Sequence, residues 1–452
     1  MSSSTPKNNN KKLINLLRGW PSPSMLPSSL LLAVSTTLLS NPDLFIPALQ
    51  YGPDPGYQPL REALATWLGN AYAVSPNVNE ICITGGASQG LACVLASFTD
   101  PGYTKVVWAG EPCYYLACGI FEDAGFGKGR IRGGGLRGFE LGQEEGGGEG
   151  EKVYKDVGRG RKLYRHVVYL VATSGNPSGK TLSLERRREL VRVAREYDAL
   201  IVVDDVYDFL QWEVGMDGAG KGELPGVLPR LSDIDIGMGR SQHEPEGKWF
   251  GHAISNGSFS KLVGPGMRTG WVHGTEDFAF GLAQTGSTKS GGAPSQLCAA
   301  MITELVTSGK LDVHLKTNTR SALQSRHGRI LAAIKKELGA YGVGVLESSE
   351  HGKSVYGGYF VWLTLPEGGP DAEEVAEWAK REENLVVAPG KLFEVGEGAK
   401  FGRNIRLCFS WEEIEDIEEG VRRLGSVLGR MRDGEKQHGV GQGAEGDTGA
   451  FK

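Results

Sequence analysis

One lysine, Lys261, closely follows two serines, Ser258 and Ser260, in SNGSFSKLVGPGMRTGW, the stretch formed by residues 255–271. A lysine must lose its proton before it can form a Schiff base, and a crowded, partly desolvated pocket favours the neutral amine. The same stretch contains Ser258, Ser260 and Arg268, whose hydroxyls and guanidinium could bind a phosphate. The stretch therefore indicates a Schiff-base lysine beside a phosphate group.

Two adjacent acids open the sequence DDVYDF at residues 204–209, directly after the apolar run 199–203. Burying carboxylates at the end of such a run is costly unless a cationic group pairs with them. Asp204 could keep a ring nitrogen protonated, and Tyr207 could bond a neighbouring phenolate. A helix cap is plausible for one aspartate but explains the pair less well, which favours a bound ring.

Further motifs suit the same ligand. TGGASQG, at residues 84–90, is a glycine turn whose free N–H groups could bind phosphate at a helix start, although alone an ordinary tight turn is favoured. Tyr114 in EPCYY could stack on a flat ring, and Asn176 in SGNPSGK could donate a hydrogen bond to a ligand oxygen. Arg406 lies in the short apolar strand NIRLCFS, which suggests a bidentate carboxylate clamp. Each motif has a structural explanation, but together, in this order, they indicate pyridoxal 5′-phosphate (PLP).

Strand-like and helix-like segments alternate through the part of the chain that carries these residues. The pattern predicts strands over residues 80–84, 105–108, 166–172 and 199–203, and helices over residues 89–98 and 183–197, with Ser183 as an N-cap. Repeated strand–helix units imply a mostly parallel sheet covered on both faces. Because sites in such folds lie at the carboxyl ends of strands, we expect Asn176, Asp204 and the glycine turn to meet there.

Composition excludes several classes of function. The 452 residues are enough for a large and a small domain, and the net charge of −5 gives no reason to expect nucleic acid or an anionic membrane as a partner. The six cysteines include no CxxC pair, which suits reduced thiols and gives no metal site. The apolar run LLLAVSTTLL, from residue 30, is too short to span a bilayer and too far from the start for a signal peptide. We therefore expect a cytoplasmic protein.

The order of YGPDPGYQPLREALA, GGASQG, EPCYY, GNPSG, DDVY, SFSKLVGPGMRTGW and IRLCFS resembles the class I and II aminotransferases of PLP fold type I, from about residue 16 to 428. The resemblance implies an α/β fold, with a large domain whose mostly parallel seven-stranded sheet is sandwiched by helices and a small α+β C-terminal domain. We predict a partly disordered arm over 1–50 at the site mouth, the PLP domain over 51–320, the small domain over 321–431 and a disordered tail over 432–452. Residues 127–160, rich in glycine and charge, are expected to be a mobile surface insertion, and residues 213–250 a milder one.

The resemblance also implies a role for each motif residue. Lys261 is expected to be the Schiff-base lysine and proton shuttle, Asp204 the partner of the pyridine nitrogen, Tyr207 and Asn176 the contacts of the phenolic oxygen, and Tyr114 the stacking ring. Ala87, Ser88, Ser258, Ser260 and Arg268 are expected to hold the phosphate, and Arg406, with Asn176, the substrate carboxylate. Tyr51 matches a tyrosine that reaches the partner subunit's phosphate site, which implies a homodimer with shared active sites. Cys113 stands where relatives usually have threonine, and we expect little effect.

The N-terminal phrase LINLLRGWPSPSMLP resembles the mouth segment of the 2-aminoadipate and aromatic aminotransferase subgroup, in which it helps to select the side chain. Arg18 could face a distal carboxylate or solvent. The expected reaction is ping-pong transfer of an amino group from 2-aminoadipate, glutamate or an aromatic L-amino acid to a 2-oxo acid such as 2-oxoglutarate. A PLP-dependent C–S lyase would use the same cofactor residues. A PLP-fold transcriptional regulator is disfavoured because only 50 residues precede Tyr51, with no basic recognition helix.

Overall fold

The computed structural model describes residues 11–127, 129–135, 153–155, 157, 160–214, 227–289, 294–349, 354–396 and 400–434. Its strands are β1 (Ile14–Asn15), β2 (Ile81–Thr84), β3 (Val106–Glu111), β4 (Ile131–Gly135), β5 (His166–Leu170), β6 (Ala199–Asp204), β7 (Gln211–Glu213), β8 (Ala253–Ser258), β9 (Gly270–His273), β10 (Gly344–Val345), β11 (Val355–Gly357), β12 (Phe360–Thr364), β13 (Leu385–Val386), β14 (Ala388–Pro389) and β15 (Asn404–Cys408). Its α-helices are α1 (Ser28–Leu39), α2 (Pro42–Leu49), α3 (Gln58–Tyr72), α4 (Ala87–Phe98), α5 (Leu116–Asp123), α6 (Leu184–Glu196), α7 (Leu231–Gly237), α8 (Glu276–Ala283), α9 (Gly286–Lys289), α10 (Gln296–Thr307), α11 (Lys310–His314), α12 (Arg320–Leu338), α13 (Ala372–Glu383) and α14 (Ile414–Arg432).

Seven strands form the central sheet, in the order β2, β9, β8, β6, β5, β3, β4. The strands from β8 to β4 run parallel to one another, whereas β9 is antiparallel to both of its neighbours. Residues of β3, β5 and β6 alternate between two separate hydrophobic cores, one on each face of the sheet. These observations confirm the predicted mostly parallel, seven-stranded sheet between helices.

The predicted helices and strands lie close to their expected positions. Helix α6 begins directly after Ser183, whose side chain accepts a hydrogen bond from Arg186 N, so the expected N-cap is confirmed. Helix α4 begins at Ala87 rather than at residue 89, directly after Gly86 of the glycine turn. The turn therefore meets the amino end of a helix, where unpaired N–H groups are available to an anion.

A smaller antiparallel sheet contains β10, β12, β15 and β14; α13 packs beside β14, and α14 packs on α12 and α13. This unit has the α+β character expected of a small C-terminal domain. The boundary between 320 and 321 stays a prediction, because α11 leads through a π-helical turn at Leu315–Thr319 straight into α12.

The N-terminal arm packs on two other parts of the chain. Strand β1 pairs in parallel with β13, and α1 and α2 pack against α10. Within the described residues, no single helix is long and apolar enough to cross a membrane. Helices α1 and α2 reach the necessary length and apolar composition only when taken together, and their axes are bent by 100° relative to each other.

The described residues of the predicted mobile insertion over 127–160 include a strand, which was not predicted. Ile131–Gly135 is the edge strand β4, paired with β3 along its whole length. Beyond it, Tyr154 N and Lys155 N donate to Asp100 Oδ2 at 2.9 and 2.7 Å, and Lys155 Nζ donates to Thr99 O at 2.6 Å, at the end of α4. Residues 136–152 lie outside the described residues.

The described part of the segment 213–250 also packs into the protein. Helix α7 contacts α6, and both Leu231 and Arg230 are buried. Asp235 Oδ2 accepts a hydrogen bond from His252 N at 2.5 Å, which ties α7 to the start of β8. At the other end of the chain, α14 continues to Arg432, and the predicted disordered tail stays a prediction because residues 435–452 lie outside the described residues.

Candidate active site

A cavity of about 410 Å³ lies where the carboxyl ends of the central strands face the smaller sheet and the N-terminal arm. Every predicted site residue except Tyr51 contributes to its wall, namely Arg18, Ala87, Ser88, Tyr114, Asn176, Asp204, Tyr207, Ser258, Ser260, Lys261, Arg268 and Arg406. The motifs come from widely separated parts of the chain, so the sheet topology brings them together as expected.

Asp204 is the last residue of β6 and is 7% exposed. Tyr169 Oη donates to Asp204 Oδ2 at 2.8 Å, and Oδ1 is buried without a hydrogen-bond partner among the described residues. Burial raises the pKa of Asp204 to about 6, although the Tyr169 hydrogen bond and the charge of Lys261 oppose the rise. The carboxylate therefore has one oxygen fixed and one oxygen free to accept a donor from a ligand.

Lys261 follows β8 and extends into the same cavity. Its Nζ donates to Gly19 O at 2.8 Å and lies 5.1 Å from the ring centroid of Tyr359. Burial lowers the pKa of Lys261 to about 8, which leaves far more neutral amine near neutral pH than an exposed lysine has. This is the property that a Schiff-base lysine needs.

Ser258, Ser260 and Arg268 surround the amino end of α4. Ser258 Oγ donates to Ser260 Oγ at 2.8 Å, and Arg268 Nη2 donates to Gly85 O at 2.8 Å. A Cβ added to Gly86, whose φ is +99°, would lie 2.8 Å from Arg268 Nη2 and 3.5 Å from Ser258 Oγ. Glycine thus lets a guanidinium and a serine hydroxyl come close to the first N–H groups of the helix, and this set of donors suits an anion.

Arg406 lies in the middle of β15 and is 4% exposed. Its Nη1 donates to Asn176 Oδ1 at 2.8 Å, and its Nη2 donates to Leu17 O at 2.5 Å. The guanidinium carbon lies 4.0 Å from the ring centroid of Phe360 and 4.8 Å from that of Phe393. Because these oxygens are uncharged, the site holds a buried positive charge that an anionic ligand would neutralise.

Two tyrosines also line the cavity. Tyr114 follows β3, and burial raises its pKa to about 12; burial also raises the pKa of Tyr207 well above its usual range. Both phenols are therefore protonated near neutral pH and can donate hydrogen bonds. Cys113 is buried directly beside Tyr114. The expected small effect of Cys113 stays a prediction.

Arg18 lies at the cavity wall, with its guanidinium carbon 4.6 Å from the ring centroid of Trp20 and 5.2 Å from that of Trp411. No carboxylate pairs with it in the part of the chain that is described. A guanidinium that lies beside two aromatic rings keeps its charge available to a ligand. The structure places this side chain at the cavity wall, and whether it faces a distal carboxylate or solvent stays a prediction.

Several wall residues were not predicted. Gly19, Trp20 and Phe360 line the cavity, and Tyr169 contacts Asp204 from outside it. Tyr169 could have been found, because it lies in the predicted strand 166–172 and Asp204 directly follows the predicted strand 199–203. Tyr51 is 86% exposed and away from the cavity, and its expected contact with a partner subunit stays a prediction.

The residues at the cavity fit PLP. Asp204 Oδ1 is a buried acceptor without a partner among the described residues, and the N–H of a pyridinium ring would satisfy it. The space beside Gly86 suits a phosphate, and Lys261 supplies an amine with a depressed pKa. These three features face one cavity, which is the arrangement that a phosphorylated pyridine aldehyde requires.

Comparisons with known proteins agree with this chemistry. The family model for aminotransferase class I and II matches residues 42–424. The chain is 31% identical over 449 residues to an uncharacterized protein of Saccharomyces cerevisiae, covering 92% of this chain and 97% of the yeast protein. It is 29% identical to aromatic-amino-acid aminotransferase 1 of Thermococcus litoralis, covering 92% of this chain and 88% of that protein. Among solved structures, it is similar to LysN, the α-aminoadipate aminotransferase of Thermus thermophilus, with a TM-score of 0.69 and 26% identity over 93% of each chain.

Proposed function

We propose, from the premise that this chain belongs to the class I and II aminotransferases, that it transfers amino groups between L-amino acids and 2-oxo acids by a ping-pong mechanism. Family membership makes the chain a PLP-dependent transaminase of the aminoadipate and aromatic type. The observation that carries the proposal is the convergence of Lys261, Asp204, Arg268 and Arg406 on one cavity.

When bound, PLP supplies an electron sink that stabilises negative charge on the substrate α-carbon. Asp204 Oδ1 would keep the pyridine nitrogen protonated, which maintains that sink. Arg268, Ser258 and Ser260, together with the N–H groups at the start of α4, would hold the phosphate. Anchoring both ends of the ring fixes its orientation before any substrate enters.

The remaining wall residues would hold the ring and the substrate. Tyr114 would stack on the ring face, and Tyr207 and Asn176 would donate hydrogen bonds to the phenolic oxygen. Arg406 would bind the substrate α-carboxylate with its two Nη groups, displacing Leu17 O. This would orient the α-hydrogen towards Lys261.

Lys261 would move the proton. A pKa of about 8 lets its amine accept a proton from the substrate α-carbon near neutral pH and then donate it again. The same acceptor and donor steps run in reverse for the 2-oxo acid, so one lysine serves both half-reactions. Gly19 O, 2.8 Å from Nζ, would keep the free amine in the cavity.

The substrate class that we propose is a dicarboxylic donor such as 2-aminoadipate or glutamate, with 2-oxoglutarate as an acceptor. Arg18 supports it, because its guanidinium lies at the cavity wall beside Trp20 and Trp411. The indole ring of Trp20, which lines the cavity, would also accept an aromatic side chain by stacking, which makes aromatic donors secondary substrates.

Arg18→Gln is expected to lower kcat/KM for 2-aminoadipate by about 10- to 100-fold, the value of a hydrogen bond to a charged group. For phenylalanine we expect a change of less than about threefold, because stacking on Trp20 needs no positive charge. Arg132→Gln is the matched control, since Arg132 also lies over an indole, that of Trp108, but outside the cavity. Equal losses for both donors would contradict the proposed carboxylate contact.

We also propose a homodimer in which Tyr51 reaches the phosphate site of the second copy. Tyr51 is 86% exposed, and the neighbouring helices α1 and α2 expose Leu32, Ile46 and Leu49 by 69%, 52% and 59%. An apolar surface of this kind is typical of a protein interface. Sedimentation at twice the chain mass is the expected result.

The overall function is tested by the absorbance spectrum of the PLP-loaded protein after addition of 2-aminoadipate, glutamate, phenylalanine or cystathionine. The expected result is that an amino donor bleaches the Schiff-base band and that 2-oxoglutarate restores it. Turnover of cystathionine alone, with release of pyruvate and ammonia, would instead establish the C–S lyase. A spectrum without a Schiff-base band would contradict both activities.

A further inference from the structure

A tyrosine outside the cavity wall contacts the aspartate that the proposed mechanism places at the ring nitrogen. Tyr169 lies in β5, and its register partner in β6 is Val202, two residues before Asp204. Side chains two apart in a strand lie on the same face, so Tyr169 and Asp204 face the same side of the sheet. Tyr169 Oη donates to Asp204 Oδ2 at 2.8 Å.

We propose that Tyr169 is a positioning residue for this reaction: its hydroxyl holds Oδ2 of Asp204, so that Oδ1 faces the ring nitrogen and the carboxylate stays ionised. The inference rests on the proposed role of Asp204. It adds a residue that does not touch substrate or cofactor but acts through one that does.

The tyrosine is held rigidly enough to serve as a fixed donor. It is 2% exposed, and its ring packs edge-to-face on Phe121 with the centroids 5.6 Å apart. Burial raises the pKa of Tyr169 well above its usual range, so the hydroxyl keeps its proton near neutral pH. A protonated phenol beside a carboxylate can only donate to it.

The aspartate needs such a donor for two reasons. The terminal torsion of an aspartate is broad, so without a fixed contact neither oxygen has a set direction. Burial also favours the neutral acid, and the Tyr169 hydrogen bond opposes that effect. The other titratable groups that act electrostatically on Asp204, or are acted on by it, are Lys261, Asp208, Tyr114, Tyr207 and Cys113.

Tyr169→Phe removes the hydroxyl and leaves the ring packing. Tyr164→Phe is the matched control: Tyr164 is also fully buried, and its hydroxyl donates to Gly251 O at 2.6 Å, away from the cavity. Each variant loses one buried hydrogen bond, so we expect similar decreases in the urea midpoint of unfolding. A purely structural role for Tyr169 would make the two variants alike in every measurement.

The test measures PLP affinity of the cofactor-free protein by equilibrium dialysis between pH 5 and 8. Binding to a protonated ring nitrogen requires ionised Asp204, so affinity rises with pH as the carboxyl loses its proton. Removing the Tyr169 hydroxyl raises the pKa of Asp204, so the rising limb, which is the pH range over which PLP affinity increases, moves to higher pH. We expect a displacement of about one pH unit, which is about tenfold weaker binding on that limb.

Two comparisons isolate the contact. A 1-deaza analogue of PLP, with C–H in place of the ring nitrogen, is expected to bind wild type and Tyr169→Phe equally. In an Asp204→Asn background, Tyr169→Phe is expected to cause no further pH displacement, because no carboxylate remains to be held. Weaker binding of the analogue to Tyr169→Phe than to wild type, or a further pH displacement in the Asp204→Asn background, would overturn the proposal.

The outcomes also separate this inference from the proposed function. If wild type binds PLP with the expected pH limb and Tyr169→Phe matches Tyr164→Phe, the role of Tyr169 is wrong and the proposed function stands. If Asp204→Asn binds PLP like wild type at every pH, the role of Asp204 is wrong, and the inference falls with it.

Discussion

Replacing Lys261 with alanine is expected to slow the amino-transfer half-reaction by at least about 10⁴-fold, the upper range for loss of a positioned proton-transfer group. Lys261 is proposed to be both the amine that binds the cofactor and the base that moves the α-proton, and alanine can do neither. The depressed pKa of about 8 suits both roles. Single-turnover absorbance after mixing PLP-loaded protein with a donor measures the effect.

The covalent role is checked separately by borohydride reduction and intact-protein mass spectrometry. Wild type is expected to gain the mass of the reduced cofactor, and Lys261→Ala is not. Lys180→Ala is the matched control, because Lys180 is an exposed lysine in the turn that carries Asn176. Attachment of the cofactor to another lysine in Lys261→Ala would contradict the assignment.

The sequence predicted the residues at the strand ends because local chemistry reveals them. Asp204 ends an apolar strand, Lys261 follows another, and Arg406 interrupts a third. A charged residue at such a place is costly unless it has a function, so it is conspicuous in a single sequence. All three line the cavity.

The contacts of the N-terminal arm could not be predicted in the same way. Leu17 O bonds Arg406 across 389 residues, and Gly19 O bonds Lys261 across 242. Both acceptors are backbone carbonyls, which every residue has, so no residue type indicates them. They depend on the pairing of β1 with β13, which is only two residues long.

The edge strand β4 could not be predicted for a different reason. Its sequence, IRGGG, is rich in glycine, which strands usually lack. A Cβ at Gly133 would lie 2.2 Å from the Glu111 side-chain carboxyl carbon, so glycine is needed for this close approach. Glu111 in turn pairs with Lys400 at 2.6 Å and accepts from Val395 N at 2.9 Å. The glycines thus reflect tertiary packing that local propensity does not contain.

Replacing Arg406 with glutamine is expected to lower kcat/KM for every amino acid and 2-oxo acid by about 10³-fold, since truncating one partner of a buried charge pair costs about 2–5 kcal/mol. The guanidinium lies close to the rings of Phe360 and Phe393. Neither these rings nor a water molecule can supply the positive charge that the variant loses. Steady-state kinetics with two donors and two acceptors measures the loss. Arg406→Lys is expected to recover only part of it, because an ammonium lacks the two-pronged geometry.

The same variant separates substrate binding from cofactor binding. Arg406 hydrogen-bonds Asn176 and Leu17, and the phosphate cradle around Gly86 lies on other elements, so PLP affinity is expected to stay within about threefold of wild type. Arg403→Gln is the matched control, because Arg403 lies just before the same strand with its side chain 47% exposed. Its kinetics should match those of wild type. A large loss of PLP affinity in Arg406→Gln, with unchanged substrate KM, would mean that the guanidinium supports the cofactor rather than the carboxylate.

The stability of the free protein offers an independent check. Its buried guanidinium bonds only neutral oxygens, so Arg406→Gln should not lower the urea midpoint of the substrate-free form.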